Sequence, residues 1–266
     1  MAVLEICVES VEAAIAAEAG GAQRIELCSS LNEGGLTPSI GMMRVVRSVV
    51  KIAVHAMIRP RAGDFLYSEQ EFAAMREDIA AAAECGMDGV ALGLLNVDGN
   101  VDVARTRELI ELARPMEVTF HRAIDMTPSV EGALEDVIRA GADRVLTSGA
   151  EPTAMQGRNQ ISRLIQASSA RIRVMVGGGV RADNVRQIAQ ATHAREYHAS
   201  LRRTVPSSIK YQRHKIHLSN MGTDEYAHNV VRTADVRTLR KALDAAFEAG
   251  AETVMQSADA APENHE

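Results

Sequence analysis

Tryptophan is absent, and aromatic residues make up only 3% of the 266-residue chain. A surface that stacks bases on aromatic rings is therefore excluded. The formal charge of −6 removes the electrostatic basis for gripping nucleic acid or an anionic membrane surface. No run of residues approaches the ~20 apolar positions of a membrane span. Val3–Val8 carries Glu5 where the core of a signal peptide would be uninterrupted, so no targeting segment is expected. There are three cysteines, Cys7, Cys28 and Cys85, an odd number in a chain of this size. They predict reduced thiols and a cytosolic setting, not a disulfide framework. Lysine is scarce as well. Lys51, Lys210, Lys215 and Lys241 all lie away from strand C-termini, which argues against a Schiff-base aldolase.

What is present is a regular alternation. Short β-rich runs fall near Leu4–Val8, Arg24–Leu27, Ile52–Ile58, Gly89–Leu94, Glu117–His121, Arg144–Thr147, Ile172–Val176 and Glu196–Ala199. Amphipathic runs separate them at Val11–Ala19, Ile40–Val49, Glu69–Glu84, Val103–Ala113, Val130–Ala140, Asn159–Ala167 and Ala182–Gln190, and a last one covers Val236–Ala249. Eight strand–helix units predict a parallel sheet closed on itself, an α/β fold of the single (β/α)8 TIM barrel class, filling residues 1–250. Residues 251–266 read as a disordered tail. An internal echo supports the repeat: Ala19-Gly20-Gly21-Ala22, Glu84-Cys85-Gly86-Met87 and Arg139-Ala140-Gly141-Ala142 each end a helix and open a strand. Their spacing of about 55–65 residues is that of two βα units. Ser68-x-x-Glu71 is a capping box for the third helix. Residues 200–233 form a polar, basic excursion too long for a plain loop.

Chemistry is expected on the strands. Glu5 and Cys7 alternate with apolar neighbours on the first, and Arg24, Glu26 and Cys28 on the second. His55, Met57 and Arg59 do so on the third, Thr119 and His121 on the fifth. One face of a barrel strand packs on helices and must be apolar, so the polar alternates point to the barrel axis. Unpaired charge there costs several kcal/mol, so these groups must pair, bind an ion or line a solvated pocket. We expect a cluster of Glu5, Glu26, Arg59 and His121 at the C-terminal barrel mouth, with His198 as a further member. A structural ion-pair plug is the alternative. Cys7 and Cys28 lie on neighbouring strands at like-facing positions. Thiolates there suit Cu(I), with Met57 as a third soft donor, although buried cysteines also pack as small hydrophobes. Cys85, at a helix end, reads as packing. The Gly177-Gly178-Gly179 turn after the seventh strand could cradle an anion through backbone amides, or merely serve a tight turn. Arg59 and Arg61 would add bidentate cationic donors.

These motifs together resemble a known family. Glu5-Ile6-Cys7-Val8-Glu9-Ser10, Arg24-Ile25-Glu26-Leu27-Cys28-Ser29, Gly34-Gly35-Leu36-Thr37-Pro38-Ser39, Met57-Ile58-Arg59-Pro60-Arg61, Gly63-Asp64-Phe65-x-Tyr67, Thr119-Phe120-His121-Arg122-Ala123, Leu146-Thr147-Ser148-Gly149 and Gly177-Gly178-Gly179 are similar, in order over roughly residues 1–245, to the copper homeostasis family CutC. The resemblance implies a (β/α)8 barrel in the cytoplasm, homo-oligomers, and a copper ion as ligand. In metazoan-type members the copper-binding cysteines lie in the first two strand motifs, the positions of Cys7 and Cys28. Three functions are carried forward. One is a Cu(I)-binding protein. The second is a lyase-, isomerase- or hydrolase-type enzyme acting on a small anionic or phosphorylated metabolite, with Glu5, Glu26 and His121 handling protons and Arg59 with Gly177–Gly179 holding the anion. The third is a partner-binding scaffold.

Overall fold

The computed structural model describes residues 2–213, 215–216 and 224–259, with 249–259 described for backbone alone. Eight parallel strands close a barrel in sequence order: β1 (Val3–Val8), β2 (Arg24–Leu27), β3 (Ala53–Met57), β4 (Gly89–Leu92), β5 (Glu117–Phe120), β6 (Arg144–Thr147), β7 (Arg173–Val176) and β8 (Glu196–Ala199). The helices α1 (Val11–Ala19), α2 (Ile40–Val49), α3 (Glu69–Glu84), α4 (Val103–Ala113), α5 (Val130–Ala140), α6 (Arg158–Ser168), α7 (Val185–Thr192) and α8 (Thr233–Asp259) follow strands one to eight. This is the expected (β/α)8 fold, reached for the expected reason: apolar strand residues such as Ile6, Ile25, Val54 and Val118 are fully buried against the helices.

Local signals explain where the helices begin and end. The side chains of Ser10, Ser39, Ser68, Asp102 and Ser129 each accept a hydrogen bond from an amide in the first turn of their helix, and the Ser68–Glu71 capping box is present. Gly141 takes φ +97° at the end of α5, a conformation side chains disfavour. The largest departures from the expected boundaries fall on the last two helices. Helix α7 begins at Val185 instead of Ala182, because the Asn184 side chain accepts from the Arg181 amide and fixes residues 181–184 as a turn. Helix α8 starts at Thr233 and continues to Asp259. The tail expected at 251–266 falls on side chains beyond 248, and on whole residues beyond 259, that lie outside the described residues. Between β8 and α8, the polar excursion contains an antiparallel pair, β9 (Arg203–Pro206) and β10 (Ala227–Val230).

The ladder register fixes what faces the lumen. Glu5 pairs with Arg24 and with His198, Cys7 with Glu26, Glu26 with His55, His55 with Gly89, Thr119 with Arg144, and Met175 with Glu196. Paired residues in a parallel ladder share a face, so the register carries one polar set around the inside of the barrel. Its lower part is an ion-pair plug. Arg24 pairs with Glu5 and Glu196; Arg144 reaches Glu196 at 2.5 Å, Glu117 at 3.0 Å and Thr119 at 3.0 Å; Arg173 reaches Glu117 at 2.8 Å. The plug and the mouth pocket, posed as alternatives by the sequence, therefore coexist at different depths.

Candidate functional site

Above the plug lies a cavity of about 440 Å³, lined among others by Cys7, Glu26, Met57, Arg59, His121 and His198. Strands β1, β2 and β8 supply its wall. On that wall Cys7, Glu26 and His198 each present a donor atom within 4.8 Å of the other two. The His198 ring is held from behind: its Nδ1 lies 2.7 Å from Glu5 Oε1, which leaves Nε2 facing Glu26 Oε2 at 4.0 Å. Glu5 is itself clamped by Arg24. Burial alone would raise the Glu5 pKa, but Arg24 and His198 together hold it well below the ordinary carboxylate range. Burial likewise opposes charge on His198, yet Cys7, Glu26 and Glu5 push its pKa well above that of a free imidazole. Glu26 shifts opposite to Glu5: burial, with the Glu5 charge, raises it despite His198 nearby. Its Oε1 is buried and has no hydrogen-bond partner.

Cys28 stands one step higher than Cys7. Since Cys7 is opposite Glu26, the next inward residue of the second strand segment is Cys28, whose amide continues the ladder to the Val8 carbonyl. Its thiol donates to Glu26 Oε2 at 3.5 Å, and it packs with Met57 and Ala91 in a small cluster of its own. Burial, then the charges of Glu26 and Cys7, push the Cys28 thiol well up. Cys85, the third thiol, caps α3 away from this wall.

On the opposite side, His121 follows β5 and accepts the Ala123 amide on Nδ1, so the neutral ring carries its proton on Nε2, which is buried without a partner. Burial, with the Arg59 charge, lowers the His121 pKa to about 3. The Phe65 ring lies 5.0 Å from both the His121 ring and the Arg59 guanidinium. Arg59 is largely occupied: it donates to the carbonyls of Glu33, Gly35 and Gly63 and so shapes two mouth loops, leaving only Nε unpartnered. Room for the His121 ring comes from Gly93, where a Cβ would fall 2.5 Å from Cε1 and Nδ1. Gly93→Ala is expected to displace the ring and to cost about 1–3 kcal/mol, measurable by urea unfolding. An unchanged midpoint would show that the ring has slack.

Not every expected residue joins the cavity. Arg61 is turned away, donating to Glu71, Asp64 and the Leu66 carbonyl over the Tyr67 ring. The glycine turn also stands aside: the Gly177 amide donates to the Thr147 carbonyl, while Gly178 and Gly179 adopt φ +102° and +76° behind Ser148 and Thr153. The sequence reading gives no site role to Phe65, Arg122, Asp125, Ser200 and Arg202, which line the mouth. The last two begin the 200–233 excursion, whose length was the available signal. Among the described residues, no helix is long and apolar enough to cross a membrane.

Comparison with known proteins agrees with the motifs. The family model described as the CutC family matches residues 2–203. A CutC family protein of Chromobacterium violaceum is 50% identical over 244 residues, covering 92% of this chain and 99% of that one. The copper homeostasis protein cutC homolog of Homo sapiens is 45% identical over 237 residues, covering 89% and 87%. The crystal structure of a copper homeostasis protein CutC from Streptococcus agalactiae superposes with a TM-score of 0.71 at 31% identity, covering 74% of this chain and 98% of that one. With its motifs, its barrel and relatives of this identity in agreement, the chain belongs to the CutC family.

Proposed function

We propose that this protein serves copper homeostasis by binding Cu(I) at the barrel mouth, with the thiolates of Cys7 and Cys28 as principal ligands. The observation that supports this best is the pair of free, buried thiols flanking one carboxylate on adjacent strands, with the Met57 thioether packed beside Cys28. Thiolate and thioether are the soft donors that select Cu(I) over harder ions. A site of this kind requires a reducing compartment, and the copper-homeostasis names of the relatives point to the same ion. Competition of the reduced protein against a chromogenic Cu(I) chelator tests it. Wild type is expected to withdraw copper stoichiometrically, and Cys7→Ser/Cys28→Ser to lose affinity by about 100-fold or more. Equal affinity in the double variant would overturn the ligand assignment.

The cavity favours a second reading. A volume of about 440 Å³ greatly exceeds what an ion needs, and His121 Nε2 and Arg59 Nε are buried donors without acceptors in residues that line it. A small anionic organic molecule would supply the acceptor oxygen, held by Arg59 and His121 and not by Arg61 or the glycine turn. Mass spectrometry of small molecules released from purified protein tests this reading, and release of none would count against it.

A further inference from the structure

The geometry points to a second kind of metal site at the same wall: we propose that Cys7, Glu26 and His198 bind Zn²⁺ through one sulfur, one oxygen and one nitrogen, with a fourth position open to the cavity. This goes beyond Cu(I) binding and rests on different residues, with Cys7 alone in common.

Three observations carry it. First, the donor atoms of Cys7, Glu26 and His198 lie within 4.8 Å of one another, with His198 Nε2 and Glu26 Oε2 at 4.0 Å. A tetrahedral zinc with bonds of about 2.0–2.3 Å places its ligands about 3.3–3.6 Å apart. Side-chain adjustments of at most about 0.7 Å per donor close that difference. Second, His198 has the outer partner that metal-bound histidines use. Glu5 accepts from Nδ1, Arg24 fixes Glu5, and Glu196 fixes Arg24. This chain holds the tautomer and aims Nε2 at the other donors. Third, Glu26 is 4% exposed, and its Oε1 has no hydrogen-bond partner. Burial makes an unpartnered carboxylate oxygen costly, and an ion bound at the trio would supply the missing partner.

The donor set chooses the ion. A mixed sulfur, nitrogen and oxygen triad is the ordinary ligand chemistry of zinc. The hard ions Mg²⁺ and Ca²⁺ take oxygen ligands and would leave the sulfur unused. Cys28 does not belong to the trio. Structural zinc sites close with four protein ligands, whereas this one has three and faces a cavity. That arrangement leaves a coordination position for water or a small anionic ligand.

The test titrates the reduced full chain with Zn²⁺ by calorimetry and with Co²⁺ by absorption spectroscopy, alongside Cu(I) competition. Glu26→Gln and His198→Gln are expected to weaken Zn²⁺ binding by about 100-fold or more and to abolish the tetrahedral Co²⁺ bands. Cys28→Ser is expected to weaken Cu(I) more than Zn²⁺, because Cys28 lies outside the trio and touches it only through its bond to Glu26 Oε2. Circular dichroism of each variant confirms folding. Absence of stoichiometric Zn²⁺ binding by wild type overturns the proposal and leaves Cu(I) binding standing. Retained Zn²⁺ affinity in folded Glu26→Gln and His198→Gln overturns it too. Equal Cu(I) affinity in Cys28→Ser with Zn²⁺ binding intact would reject the copper ligands instead.

Discussion

Arg144→Met is expected to lower the unfolding free energy by about 3 kcal/mol, the low end of the range for breaking a buried ion pair. Arg144 is fully buried and donates to Glu196, Glu117 and Thr119, so its loss leaves the buried Glu196 carboxylate and the half-exposed Glu117 each short of a partner. Arg24 still holds Glu196 and Arg173 still holds Glu117, which is why the effect stays at the low end. For a chain of this size the melting temperature should fall by about 6–12 °C. Removing both charges in Arg144→Met/Glu196→Leu is expected to destabilise by less than the sum of the single changes, because neither side chain then remains as an unpaired ion. Strict additivity, or a melting point unmoved by Arg144→Met, would mean that the plug is not coupled as its distances imply.

The second large effect is acid unfolding driven by two neutral histidines. Burial lowers His121 to about 3 and His55 to about 4, and both rings are almost fully enclosed. Above about pH 6.5 each histidine is neutral in both the folded and unfolded chain, so neither affects stability there. As the pH falls from 6.5, the unfolded chain takes up protons that the native state refuses. Stability then drops by up to about 1.4 kcal/mol per pH unit for each histidine, and by about 2.7 for the two together, down to the folded values near 4 and 3. His198 has the opposite sign: its pKa is raised, so its contribution is complete below pH 6.5 and is lost only as the pH rises through the folded value. Glu5, lowered by Arg24 and His198, adds to the acid loss once the pH falls below the ordinary glutamate range. Urea denaturation from pH 7 to 4.5 measures the slope, and His121→Gln should remove about half of the histidine part. A stability flat across this interval would show that both rings protonate in the folded state.

The residues that made the fold legible are those whose signal is local. Ser10, Ser39, Ser68, Asp102 and Ser129 announce helices that begin where the sequence places them, and alternation along β1, β2, β3 and β5 announces which side chains enter the lumen. Glu26, Arg59 and His121 do face the mouth, as the alternation implies. What the sequence hides is pairing across the barrel. Arg144 and Glu196 lie 52 positions apart and meet only because the closing register brings β6 and β8 to the same depth. The sequence places His198 with the mouth cluster, but that its ring completes the Cys7–Glu26 wall follows only from the pairing of Glu5 with His198. Arg61 and the Gly177–Gly179 turn lie close in sequence to mouth residues. The Arg61 guanidinium is used by loop partners and the Gly177 amide by the Thr147 carbonyl, which composition and spacing cannot show. Likewise Gly93 matters only through the ring packed over it.

The most direct test of the central claim is a crystal structure of the reduced, Cu(I)-loaded protein with anomalous data collected on both sides of the copper absorption edge. A copper-specific peak within bonding distance of Cys7 and Cys28 Sγ, beside Glu26 and facing the cavity, is the result expected here. Full occupancy at another place on the molecule, with both thiols unligated, would contradict it.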